Sequence, residues 1–223
     1  MTHRHSFLIA NVFAIFVITA CSIDAYDKGE GEYSLMTAEM ADINVGSDKY
    51  VTILETDQNE QLKLAKPVKT KWIDKADTTY RALVYYKLLS DGSVEAVSLK
   101  KAGVLTPHQL KEEEGQQEEM KTDPIYVESV WVSKNKKYVN MRLRLLTGSS
   151  EDEKAVQTIG AIHDIENSTN DHEHLVFYHD QGGQPEYYST TAFVSIPLTE
   201  IHADTLTITV NTYSGRYSKT ITK

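Results

Sequence analysis

Cysteine is almost missing from this 223-residue chain: Cys21 is the single one, so no disulfide can form within the chain and burial must hold the fold. Positive charge is also scarce. Lys and Arg number 23 against 32 Asp and Glu, a formal charge of −9, with no basic block to offset it. Nucleic acid and anionic lipid headgroups bind through surplus Lys and Arg, so neither is expected as the main partner. Long apolar runs are absent too. The longest starts at Phe7 and falls short of the ~20 residues a membrane-spanning helix needs. Gly-x-Ser-x-Gly, P-loop, GxGxxG, CxxC and helical His-x-x-x-His patterns do not occur, which removes the sequence grounds for the chemistry each supports. Hydrolysis by paired carboxylates leaves no spacing signature and stays open.

What is present begins at the N-terminus. Arg4 lies between His3 and His5, the apolar run from Phe7 follows, and Ile18-Thr19-Ala20 leads into Cys21, after which the sequence turns polar. This arrangement resembles a bacterial lipoprotein signal with its lipobox. The resemblance implies that residues 1–20 are removed and that the Cys21 thiol and the new N-terminus are acylated. Attachment through two or more acyl chains is stable where one is marginal. The mature chain then carries 22 Lys and Arg against 32 Asp and Glu, since only Arg4 is lost.

Residues 21–40 are acidic and glycine-bearing and read as a flexible tether. From there to residue 105, five short runs rich in β-formers read as strands: Tyr50–Leu54, Leu62–Ala65, Lys69–Ile73, Tyr80–Leu89 and Val94–Leu99. Asp91-Gly92 marks a hairpin between the last two. A small, partly open OB-like barrel fits this spacing, and a simple three-to-five-stranded sheet fits nearly as well. Residues 106–124, with Pro107 and Pro124 near the ends and a Glu run between them, read as an acidic interdomain linker. Residues 125–223 hold seven further strand candidates with turn signals between them, the pattern of an antiparallel β-sandwich. Within Tyr138–Leu145, alternation puts Tyr138, Asn140, Arg142 and Arg144 on one face and Val139, Met141, Leu143 and Leu145 on the other. The expected architecture is therefore all-β, a small OB-like barrel at 41–105 followed by an antiparallel β-sandwich at 125–223.

With lipobox, small β domain and sandwich in place, the chain resembles the NigD-like lipoproteins of the Bacteroidota. The local match is carried by His174–Tyr188, Ala192–Leu198 and Thr209–Gly215. The resemblance implies an N-terminal OB-like domain, a C-terminal β-sandwich and a place in the cell envelope, in the outer membrane with either leaflet open. It carries over no residue except Cys21. Asp77-Thr78-Thr79 and Asp204-Thr205-Leu206 also resemble the Asp-Thr acceptor of O-glycosylation in exported proteins of that bacterial group.

Two constellations remain. His163-Asp164, Asp171-His172-Glu173-His174 and His179-Asp180 offer imidazoles and carboxylates that could bind Zn²⁺, but their spacing suits a solvated His/Asp loop better, so no metal and no cofactor is expected. Exposed aromatics on a β surface stack on sugars or fill protein interfaces, which makes Trp72, Tyr85, Tyr86, Tyr187 and Tyr188 the candidate ligand-binding residues. No catalytic residue is assigned. The expected function is a lipid-anchored, non-catalytic binding or accessory module for an envelope protein or glycan, with a hydrolase or immunity-type factor as the competing reading.

Overall fold

The computed structural model describes residues 36–223 apart from 111, 114, 115, 118, 153 and 154. Cys21, the expected signal and the expected tether up to residue 35 lie outside the described residues. Five strands, β1 (Met36–Val45), β2 (Val51–Thr56), β3 (Gln61–Val68), β4 (Thr78–Leu88) and β5 (Val94–Lys101), close into a barrel in the order β1-β2-β3-β5-β4. Strand β4 returns to β1, and the one parallel contact joins Leu64 of β3 to Val94 of β5. Closure removes the free edges that a five-stranded sheet would otherwise expose. Ile43, Val51, Leu54, Val84 and Val94 are sealed inside it.

Five strands were expected here, but not these five. Lys69–Ile73 forms no strand; it is a turn region whose Trp72 and Ile73 pack against the barrel core. The fifth strand is β1, whose first residues, Met36–Met40, fall within the expected tether. The Asp91-Gly92 hairpin is present, with Gly92 at φ 81 and Asp91 Oδ1 accepting from the Ser93 backbone N–H at 2.9 Å.

Short β6 (Gly103–Val104) leads to a two-residue ladder, β7 (Glu112–Glu113) with β8 (Gln116–Gln117). The sandwich strands follow: β9 (Tyr126–Val132), β10 (Tyr138–Thr147), β11 (Thr158–His163), β12 (His172–Asp180), β13 (Tyr188–Pro197), β14 (Thr205–Thr212) and β15 (Gly215–Thr222). One sheet runs β6-β13-β10-β9 and the other β11-β12-β14-β15. Two pairings, β13 with β6 and β12 with β14, are parallel, so the sandwich is antiparallel only in its majority. Between the sheets lie Met141, Leu143, Leu175, Phe177, Ile196, Leu206 and Ile208, each no more than 1% exposed.

Residues 106–124 differ from a free interdomain linker. The His108 backbone donates to the Ala161 carbonyl at 3.1 Å, and the His163 N–H donates back to the His108 carbonyl at 2.9 Å. At the other end the Asp123 N–H donates to the His179 carbonyl at 2.9 Å. Its polar composition suggested solvation, but backbone groups anneal to a sheet edge whatever the side chains are. Residues 36–223 accordingly belong to one compact unit.

Barrel and sandwich meet on the outer face of β10. Met40, Leu83 and Ala102 of the barrel side pack with Tyr85, Trp131 and Phe193. Beside this apolar contact sits Arg81, 3% exposed. Its Nη1 donates to Asp42 Oδ1 at 3.2 Å, its Nη2 to Asp57 Oδ1 at 2.5 Å and to Asn140 Oδ1 at 3.2 Å, and its Nε to Ser195 Oγ at 3.1 Å. Asn140 Nδ2 donates to Asp57 Oδ2 at 2.6 Å, and the guanidinium lies 4.1 Å from the centre of the Tyr138 ring. Arg81, Asp42 and Asp57 come from the barrel; Tyr138, Asn140 and Ser195 come from the sandwich.

Candidate functional site

The face of β10 that the alternation sets apart divides in two. Tyr138 and Asn140 lie under the barrel, whereas Arg142 and Arg144 remain accessible, their side chains 50% and 44% exposed. In register, Arg142 sits between Ser129 of β9 and Phe193 of β13, and Arg144 between Tyr126 and Thr191. A bulge in β9 opposite Arg142 and Leu143 leaves adjacent Glu128 and Ser129 both exposed. Bulges re-aim side chains, and this one brings Glu128 onto the arginine face. Glu128 Oε2 lies 2.7 Å from Arg142 Nε and Oε1 lies 3.7 Å from Arg144 Nε.

Aromatic rings border these charges. Arg144 lies 4.3 Å from the centre of the Tyr126 ring, which stacks on Tyr213 at 4.7 Å and 26°. The Tyr213 hydroxyl donates to Glu186 Oε1 at 3.1 Å; partial burial and that carboxylate push the phenol up to about 12. Arg142 stands 5.8 Å from the Phe193 ring. Arginine and tyrosine placed together on a rigid sheet are the residue types that dominate protein-binding energetics, because both offer large flat contacts with directed donors.

The five aromatic candidates fare differently. Trp72 meets Tyr80 edge-on at 5.7 Å and donates its Nε1–H to the Leu99 carbonyl at 3.2 Å, so it seals the barrel. Tyr86 is 6% exposed in the barrel core, its hydroxyl donating to Glu39 Oε2 at 3.0 Å. Burial and the neighbouring Glu39 push that phenol up to about 12. Tyr85 packs at the barrel–sandwich contact, with Lys100 Nζ 5.4 Å from its ring centre. Stacking a ligand on Tyr86 would require opening the core, and Trp72 is half-buried against it. Only Tyr187, 79% exposed, and Tyr188, 57% exposed, stand open to solvent. Tyr126 and Glu128 were not singled out from sequence; their signal, a β-strand whose start faces a distant tyrosine, exists only in the fold.

The His/Asp cluster splits into three places. His172 and His174 share a strand face and stack at 4.2 Å, His172 Nε2 meeting Thr207 Oγ1 at 2.8 Å. His179 is buried, with Nδ1 2.9 Å from the Asp123 carbonyl. His163 Nδ1 lies 2.9 Å from Glu173 Oε1, in a cleft of about 390 Å³ that also involves Asn170 and His202. Among the described residues no group of three or more His, Cys, Asp or Glu is placed to hold a metal ion. Thr78 and Thr205, the hydroxyls of the two Asp-Thr tripeptides, are half-buried at the first positions of β4 and β14.

Comparison with known proteins bears on the whole of this architecture. A NigD-like immunity protein from Bacteroides caccae shares 24% identity, with 82% of this chain and 91% of that chain covered at a TM-score of 0.62. A Bacteroides vulgatus protein of unknown function, DUF1344, shares 16% identity over 84% and 90% of the two chains at 0.64. A Bacteroides fragilis protein provisionally described as a lipoprotein shares 12% identity over 83% and 96% at 0.58. These likenesses show the fold. Comparison with curated proteins returns no match. The family model described as the NigD-like C-terminal beta sandwich domain matches residues 106–223, more than half of the chain and including the strap that anneals to the sandwich, so this chain belongs to the NigD-like family.

Proposed function

We propose that this chain is an exported cell-envelope lipoprotein, anchored by lipid on Cys21, that works as a non-catalytic binding or accessory module. The observation that carries the binding role is the open Arg142/Arg144/Tyr126/Tyr213 face on a body whose two parts are clamped together through Arg81. Such a body presents its surface in one fixed orientation, which lowers the ordering cost of association. The anchoring rests on the lipobox-like stretch before Cys21, and the lipoprotein description of the Bacteroides fragilis relative agrees with it. Membrane attachment through lipid needs no spanning helix, and none among the described residues is long and apolar enough to be one. The outer membrane is the proposed location, and a protein or a glycan the proposed partner.

A second reading, a hydrolase or immunity-type factor, draws on the His163–Glu173 pair in its polar cleft and on the immunity description of the Bacteroides caccae relative. A carboxylate on Nδ1 orients an imidazole so that Nε2 faces outward, the arrangement general bases use. In-cell crosslinking with mass spectrometry, run on the native protein and on Cys21→Ala, separates the readings. Capture of a specific envelope partner only by the anchored form supports the module. No partner in either form, together with a turnover that Glu173→Gln abolishes, overturns it.

A further inference from the structure

We infer that the exposed half of the β10 face docks an extended acidic peptide segment of a protein partner, with carboxylates two residues apart received by Arg142 and Arg144; this names the occupant of the module proposed above and rests on that reading. The two arginines project from one strand face at adjacent same-side positions, about 7 Å apart along the strand. Glu128 lies between them on the Nε side of each guanidinium, and a ring lies beside each, Phe193 for Arg142 and Tyr126 for Arg144. Among the described residues no other acceptor meets either guanidinium, which leaves the outer Nη donors for an incoming group. Arg144 Nε is closed off from solvent yet has no hydrogen-bond partner, since 3.7 Å to Glu128 is too long for one.

Forks fixed on one side, Arg142 by Glu128 at 2.7 Å and Arg144 by the Tyr126 ring at 4.3 Å, have less side-chain freedom left to lose, so carboxylate capture comes at lower entropic cost. Charge selects the occupant. The chain carries a formal −9, yet here two arginines face one glutamate. An anionic partner repelled elsewhere is drawn to this strip. Spacing narrows it further. An extended peptide presents every second side chain on one side at about 7 Å, the same repeat as the arginines. The stacked Tyr126–Tyr213 pair supplies a flat apolar wall for the intervening residues, and its hydroxyl end is held by Glu186.

The test uses the detergent-purified full chain and a fluorescent octapeptide of alternating Glu and Thr, read by anisotropy at low and physiological salt. A peptide of the same composition with its Glu residues contiguous, and an oligogalacturonate, serve as comparisons. The alternating peptide is expected to bind more tightly than the contiguous one and to weaken about tenfold or more in Arg142→Gln/Arg144→Gln. Arg142→Lys/Arg144→Lys, which keeps charge but loses the forks, is expected to fall between. Circular dichroism confirms that the variants fold. Equal peptide binding by wild type and the Gln variant, or none by wild type, overturns the inference. Arginine-dependent binding of oligogalacturonate alone also overturns it, giving the strip to an acidic glycan. If in-cell crosslinking captures the same protein partner with wild type and the Gln variant, the strip is wrong while the binding module stands.

Discussion

Three arginines meet one sheet face in opposite circumstances. Arg81 is enclosed where barrel meets sandwich and touches two carboxylates, an amide, a hydroxyl and a ring, whereas Arg142 and Arg144 stand at the surface with one shared glutamate. Solvent decides what each charge can do. Removed from water, a guanidinium must be matched at every donor, and its partners must then be matched in turn. Left in water, it gains little from Glu128 and keeps donors in reserve. The same residue type is a structural clamp in one half of the face and an open surface group in the other.

Removing Arg81 should give the largest effect. Arg81→Met leaves Asp42 and Asp57 buried without a cation, and loss of one partner of a buried pair costs about 3–5 kcal/mol. Urea denaturation should show that loss, and adding Asp42→Asn and Asp57→Asn should recover part of it, because the uncompensated charges go too. Arg142→Gln/Arg144→Gln should stay within about 0.5 kcal/mol of wild type. Similar losses in the two variants would break the contrast between the enclosed clamp and the open surface arginines.

The two carboxylates beside Arg81 sharpen it further. Asp57 faces Nη2 at 2.5 Å and also accepts from Asn140, so Asp57→Asn leaves donors facing donors and should cost about 1–3 kcal/mol. Asp42 differs: burial raises its carboxyl above the ordinary value, and Arg81, the Tyr138 hydroxyl and Lys137 pull the other way without cancelling that rise. The fold thus favours the protonated acid. That contribution is complete below the ordinary carboxylate range and is lost as pH rises through the raised value. Asp42→Asn should therefore cost less than Asp57→Asn, and its penalty should shrink as denaturation is repeated from about pH 4 to about pH 7. A penalty that grows over that window would count against a raised Asp42.

Much of the sandwich was legible because its strands bury one face. In β10 the alternation of Val139, Met141, Leu143 and Leu145 with polar residues marks the inner side correctly. Strand β1 was not legible. Ala41, Ile43 and Val45 point into the barrel while Met40 and Asp42 are covered by the sandwich, so burial runs without the two-residue period that announces a strand. The same covering hides the clamp. Asn140 falls on the polar face of its strand, and nothing in the sequence marks Asp42 or Arg81 for burial, because charged and amide side chains are mostly exposed unless partners far along the chain bury them. Of the candidate site, the alternation of β10 places Arg142 and Arg144 on one face, but the bulge that turns Glu128 toward the arginines depends on the pairing of β9 with β10.

Tyr138 offers the smallest and finest test, because it is the one residue of the clamp whose two ends act separately. Its ring lies under the Arg81 guanidinium at 4.1 Å, and its hydroxyl donates to Asp42 Oδ2 across a long 3.3 Å. Burial first, then the Asp42 charge, pushes the phenol up to about 12. The fold therefore favours the neutral phenol, a contribution intact below the ordinary phenol range and lost as pH rises through about 12. Tyr138→Phe keeps the ring under the cation and removes only the hydroxyl, so at neutral pH it should cost about 1 kcal/mol or less. In alkaline denaturation the variant should lose less stability than wild type as pH rises past 10, the phenol's ordinary value. Tyr138→Leu, which removes the ring as well, should cost more at every pH. Equal losses for Phe and Leu would mean that the hydroxyl, and not the ring beneath Arg81, joins this strand to the barrel.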